Sequence, residues 1–165
     1  MVITITIPVK GYLKKYLYWK ENLPLGDKIT LSANSKIGLI LGGLLIEKVR
    51  AEMHPINTSD YEKIYNDTFC FELDTDYFKS RRWCLTMESI KYFNKYLYKD
   101  FHESLLTNII LNYRNHQIRE TDTIRCFLDT MNISEDDISF DAIKKASYRE
   151  RKARNFEQFR AVTAK

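Results

Sequence analysis

Glycine and proline, the residues that interrupt regular backbone structure, number only five and three in this chain of 165 residues. Breakers this scarce argue against a loop-rich fold and for helices. The length suffices for one domain that buries about 70% of its unfolded surface, so a core forms without metal or disulfide staples. With 44% hydrophobic and 29% charged residues, the chain is globular rather than disordered.

Hydrophobic periodicity orders the elements. Ile3, Ile5 and Ile7 alternate with Thr4 and Thr6, the period-two pattern of a half-buried strand. Pro8 ends it and opens an amphipathic helix with Val9, Tyr12, Leu13, Tyr16 and Leu17 on the apolar side. KITLS at 28–32 reads as a second strand, and Asn34 or Ser35 caps a helix running to about Met53. Gly38 and Gly42 lie four apart on that helix and share a packing face. Residues 54–67 read as a loop, and TFCFEL at 68–73 as a third strand.

Beyond Thr86 the pattern is helical. Met87, Ile90, Tyr92, Phe93, Tyr96 and Leu97 mark one helix and Phe101, Leu105, Leu106, Ile109, Ile110 and Tyr113 the next, with a division near Asp100. A third, from about Arg119, buries Ile124, Phe127, Leu128 and Met131 and stops at Asn132. The expectation is a helix-rich α+β fold: a small sheet from the N-terminal strands and a helical C-terminal half ending in a helix-turn-helix-like element. One domain covers residues 1–153, the helix-turn-helix-like subregion spans 118–153, and 154–165 form a basic terminal extension.

Charge gathers at that end. Residues 144–165 hold eight Lys/Arg against Glu150 and Glu157, an excess of six, whereas the whole chain carries only +4; residues 1–143 are therefore slightly acidic. Such asymmetry points to a polyanionic partner, with a solvated terminal helix as the plain alternative. A polar turn from Asn132 to Ile138 separates the preceding helix from a last one that Ser139 caps at Phe140. Two helices joined through a short polar turn, the second of them basic, fit a helix-turn-helix, although the usual glycine of the turn is missing. At helical spacing Ile143, Ala146 and Ala153 fall on a packing side, and Lys145, Arg149 and Lys152 on the other with Tyr148 beside them. These three cations are the leading phosphate or base contacts, with Lys144, Tyr148, Arg151 and Arg154 in support.

Several function classes lack a motif. There is no G-x-G-x-x-G, no Walker-type loop and no G-x-S-x-G, so no cofactor is implied. His54, His102 and His116 have no second ligand at metal spacing and read as surface or half-buried residues. Glu72, Asp74 and Asp76 form the one acidic cluster of the kind a metal-dependent nuclease uses, but a following lysine is missing, and a solvated loop entry is the better reading. Arg81, Arg82 and Trp83 offer a second nucleic-acid contact or a loop anchor. Cys70, Cys84 and Cys126 are odd in number and lack C-x-x-C spacing, so they read as buried thiols of a reducing cytoplasm. No signal peptide opens the chain, and the apolar run from Ile37 to Ile46 is too short for a bilayer.

The opening ITITIPVKGYLKKYL and the ending NISEDDISFDAIKKASYRERK resemble small uncharacterised proteins of Bacteroidetes phages and mobile elements. The resemblance implies a bacterial host cytoplasm and raises DNA metabolism or regulation as a setting. Together these features predict a non-catalytic nucleic-acid-binding protein, DNA before RNA, acting through its basic C-terminal helix. The alternative is an inhibitor or assembly factor that docks the same helix on an acidic protein. Pairing of N-terminal strand edges would give a homo-oligomer.

Overall fold

A computed structural model describes residues 3–24, 26, 29–30, 36–47, 64–73 and 82–153. They form a helix-rich α+β fold. In chain order these residues make β1 (Ile3–Val9), α1 (Gly11–Lys20), β2 (Ile29–Thr30), α2 (Lys36–Leu44), β3 (Ile46–Glu47), β4 (Asp67–Leu73), β5 (Arg82–Cys84), α3 (Met87–His116), α4 (Glu120–Thr130) and α5 (Phe140–Ala153). The chain divides into two compact units, Met1–Tyr98 and Lys99–Lys165, with the boundary inside α3.

In the first unit β1 runs antiparallel to β4, from Ile3 opposite Leu73 to Val9 opposite Asp67. β2 adds to the far side of β4 in parallel, giving the order β1-β4-β2. Alternation sets the faces: Ile7, Val9, Phe69 and Phe71 are buried, whereas Thr4, Thr6, Thr68 and Cys70 are not. α1 buries Tyr12, Leu13, Tyr16, Leu17 and Tyr18, with the Tyr18 ring edge-on to Phe69 at 5.7 Å. Each such apolar side chain removed from water contributes about 1.5–3 kcal/mol. A separate ladder pairs β3 with β5, Ile46 opposite Cys84.

Pro8 does not end the first strand. It pairs with Thr68 inside β1, and Val9 is the buried last residue of that strand rather than part of the helix. β1 is an edge strand, which tolerates a residue with no N–H to give the ladder. Asn94 of α3 then secures the strand end: its Nδ2 donates to the Pro8 carbonyl at 2.8 Å and its Oδ1 accepts the Lys10 N–H at 3.3 Å. α1 starts only at Gly11, whose N–H donates to Asn66 Oδ1 at 2.9 Å, a cap supplied from the segment leading into β4. Lys14 of the next turn meets Asp67 at 2.7 Å.

Two helix boundaries also depart from the periodicity. α2 stops at Leu44 rather than near Met53, because Gly42 and Gly43 each cost about 1 kcal/mol in a helix and the chain then pairs with β5. Ile37, Gly38, Leu41 and Gly42 line its buried face; the caps assigned to Asn34 and Ser35 lie outside the described residues. α3 is one helix of 30 residues with no division at Asp100. No Gly or Pro occurs in it, and an interior Asp costs at most about 0.7 kcal/mol. Tyr92, assigned to its apolar side, is exposed.

The second unit packs the rest of α3 with α4 and α5. Phe101, Leu105, Leu106, Ile109, Ile124, Phe127, Leu128, Met131, Ile133 and Ile143 are buried, and Phe101 meets Phe127 edge-on at 5.6 Å. His102 lies in this core at 2% exposure, so it is neither a surface nor a half-buried residue. Nor are the thiols buried: Cys70 and Cys84 are half-buried and Cys126 is exposed. Among the described residues no helix is long and apolar enough to cross a membrane.

Candidate nucleic-acid interface

α4 ends through a Schellman arrangement that takes the place of the missing glycine turn. Asn132 adopts φ 54°, its N–H reaches the Asp129 carbonyl at 3.0 Å, and the Ile133 N–H reaches that of Leu128 at 3.0 Å. Ile133 and Leu128 are both buried, which supplies the apolar contact such an ending favours. The polar turn closes on itself: Ser134 gives its N–H and Oγ–H to Asp137 Oδ2 at 2.8 and 3.0 Å. The start of α5 is capped twice. Glu135 accepts the Phe140 N–H at 3.2 Å, and Ser139 Oγ accepts that of Ala142 at 3.3 Å.

α5 is held on α4 at both ends. The Arg125 guanidinium lies 5.3 Å from the centre of the Phe140 ring, and Glu120 accepts Arg151 Nη2 at 2.7 Å and Ser147 Oγ at 3.4 Å. Ile143 and Ser147 are buried, while Ala146 is half-buried and Ala153 exposed. The packing side is thus Ile143 and Ser147 with Arg151 at its rim, not a side that includes Ala153. Ser147 replaces an apolar residue there because Glu120 receives its hydroxyl.

The cationic residues separate into two groups. Lys144, Tyr148, Lys152, Lys145 and Arg149 follow one another around about 140° of the helix at 100° per residue. All five are exposed, Tyr148 at 49%, and among the described residues no carboxylate pairs with the four cations. Arg151, assigned to the same contact, is instead committed to Glu120 and half-buried. Arg154 and the extension 154–165 lie outside the described residues.

The N-terminal end of the same helix carries the opposite sign. Glu135, Asp136 and Asp141 are exposed around the turn and first residues of α5, so acids sit at the positive end of the helix dipole and cations towards the negative end. A helix that enters a groove by its N-terminus would bring these acids against phosphate. The side and C-terminal half of α5 hold the exposed cations clear of these acids.

Glu72 lies in β4, while Asp74, Asp76, Arg81 and the side chains of Arg82 and Trp83 fall outside the described residues, as does His54. Among the described residues no group of three His, Cys, Asp or Glu is placed to hold a metal ion. Burial pushes the His102 imidazole down to about 4, so it is neutral near pH 7. No family model, curated protein or solved structure matches the chain.

Proposed function

We propose that this protein binds nucleic acid without catalysis, DNA in preference to RNA, through the cationic face of α5, in the cytoplasm of a bacterial host and as part of a phage or mobile element. One observation carries the binding: Lys144, Lys145, Arg149 and Lys152 share one exposed face with no carboxylate paired to them among the described residues. Exposed cations that no internal acid neutralises release the counterions of a polyanion when they bind it. α4 braces the face, since Arg125 and Glu120 fix both ends of α5. Contacts of this kind position a protein on a duplex and carry little sequence information.

Fluorescence anisotropy of a labelled DNA duplex at low salt tests the reading. Binding should weaken at least about tenfold in the double variant Arg149→Glu, Lys152→Glu, because two attractions become repulsions. A duplex that fails to bind, or that binds the variant as well as the native protein, rejects it. In that case the same face is left for an acidic protein partner, which the same variant would release.

A further inference from the structure

The first unit carries a second cationic face, on α3, with a different chemical character. Tyr92 is 62% exposed, more than any other large hydrophobic residue among those described. At 100° per residue Tyr98, Lys91, Lys95, Tyr92 and Tyr96 follow one another around about 160° of the helix. Ile90, Phe93, Asn94 and Leu97 fill the opposite side and are buried. Lys91, Tyr92, Lys95 and Tyr98 are exposed, and Lys36 of α2 reaches across to place its ammonium 5.7 Å from the centre of the Tyr96 ring. Among the described residues of α3 in this unit, Glu88, one turn before Tyr92, is the exposed acid on this side, beside Lys91 and Lys95.

The Tyr92 ring is largely exposed, with Lys91 and Lys95 to one side of it on the helix and Tyr96, with Lys36 over its ring, to the other. A flat aromatic face flanked by ammonium groups is what an unpaired nucleobase and its phosphates require: the ring stacks on the base and the cations neutralise the backbone. A duplex cannot use such a ring, because its bases are already stacked on one another. We propose that this face binds single-stranded nucleic acid, with Tyr92 stacked on a base and Lys36, Lys91 and Lys95 on adjacent phosphates. It goes beyond the duplex contact assigned to α5 and does not depend on it.

Anisotropy of a labelled oligothymidylate of about 12 nucleotides, with the full chain at low salt, tests the assignment. Tyr92→Ala should weaken binding about 5- to 100-fold, as loss of one stacked base requires, whereas Tyr92→Phe keeps the ring and binds like the native protein. Lys91→Gln with Lys95→Gln should also weaken it, and none of these variants should alter duplex binding. These side chains are exposed, and circular dichroism of each variant checks that it folds. The proposal is overturned if the native chain does not bind the single strand, if Tyr92→Ala binds unchanged, or if Tyr92→Phe loses as much as Tyr92→Ala. A Tyr92→Ala variant that changes sedimentation instead of binding marks the face as a protein contact and overturns it as well. Duplex binding that survives Tyr92→Ala but not Arg149→Glu with Lys152→Glu upholds the α5 reading, whichever way the single-strand result falls.

Discussion

Burial alone moves the His102 proton equilibrium, with its pKa pushed down to about 4 from an ordinary 6.5. Between those values the unfolded chain takes up a proton that the folded chain refuses, so acid favours unfolding. The stabilisation is complete above about pH 6.5, falls as pH drops, and is fully lost near pH 4, a loss of about 2 kcal/mol by pH 5 and about 3 kcal/mol in all. Urea unfolding at pH 7 and pH 5 should show the native protein losing about 2 kcal/mol more than His102→Leu; equal losses would refute the assignment. His102 lies three and four residues before Leu105 and Leu106, so its place on an apolar stripe was legible from spacing. Asn94 is the opposite case. Its carboxamide joins α3 to the end of β1 with hydrogen bonds to Lys10 and Pro8, pairs separated by more than 80 residues that no local pattern encodes. Asn94→Ala leaves those two backbone groups unpaired, and denaturant unfolding should register a loss of about 2–4 kcal/mol.

Helix endings govern the element scale, and three of them rest on non-glycine residues in the left-handed region: Asn22, Gln117 and Asn132, each at φ 54°. Asparagine tolerates this backbone, whereas glutamine bears a cost of roughly 1–2 kcal/mol. Gln117→Gly should therefore stabilise the protein by about 0.5–1 kcal/mol once the greater freedom of glycine in the unfolded chain is set against the relief. Asn132→Gly should gain less, and thermal unfolding of the two variants checks the order. The existence of α1, β4, α4 and α5 was readable from periodicity because each buries one regular face. Their limits were less so. Pro8 reads as a breaker until β1 is known to be an edge strand, and Asp100 reads as a divider until the helix on both sides is seen to continue. Residue identity states a local preference, and the neighbours decide whether it prevails.

For the molecule as a whole, the question is which charges remain available to a partner. The cationic face of α5 was legible as a helical stripe of Lys145, Arg149 and Lys152, which keep the exposure that stripe implied, and Lys144 is exposed beside them. Arg151 could not be sorted in that way. It sits at the rim between the packing and cationic sides, and only the position of Glu120, 31 residues earlier, commits it to an internal pair. The same logic hid the α3 face: Tyr92 falls at core spacing, and only a core filled without it leaves the ring in solvent. A salt titration separates available from committed charge. With four cations on phosphates, the logarithm of duplex affinity should fall with the logarithm of salt at a slope of about −3 to −4. Lys152→Gln should reduce that slope by about 1. Arg151→Gln should leave the slope intact and instead lower stability by up to about 1 kcal/mol, the range of a partly exposed ion pair. If Arg151→Gln lowers the slope as much as Lys152→Gln does, Arg151 leaves Glu120 to reach phosphate, and binding then unfastens one end of α5 from α4.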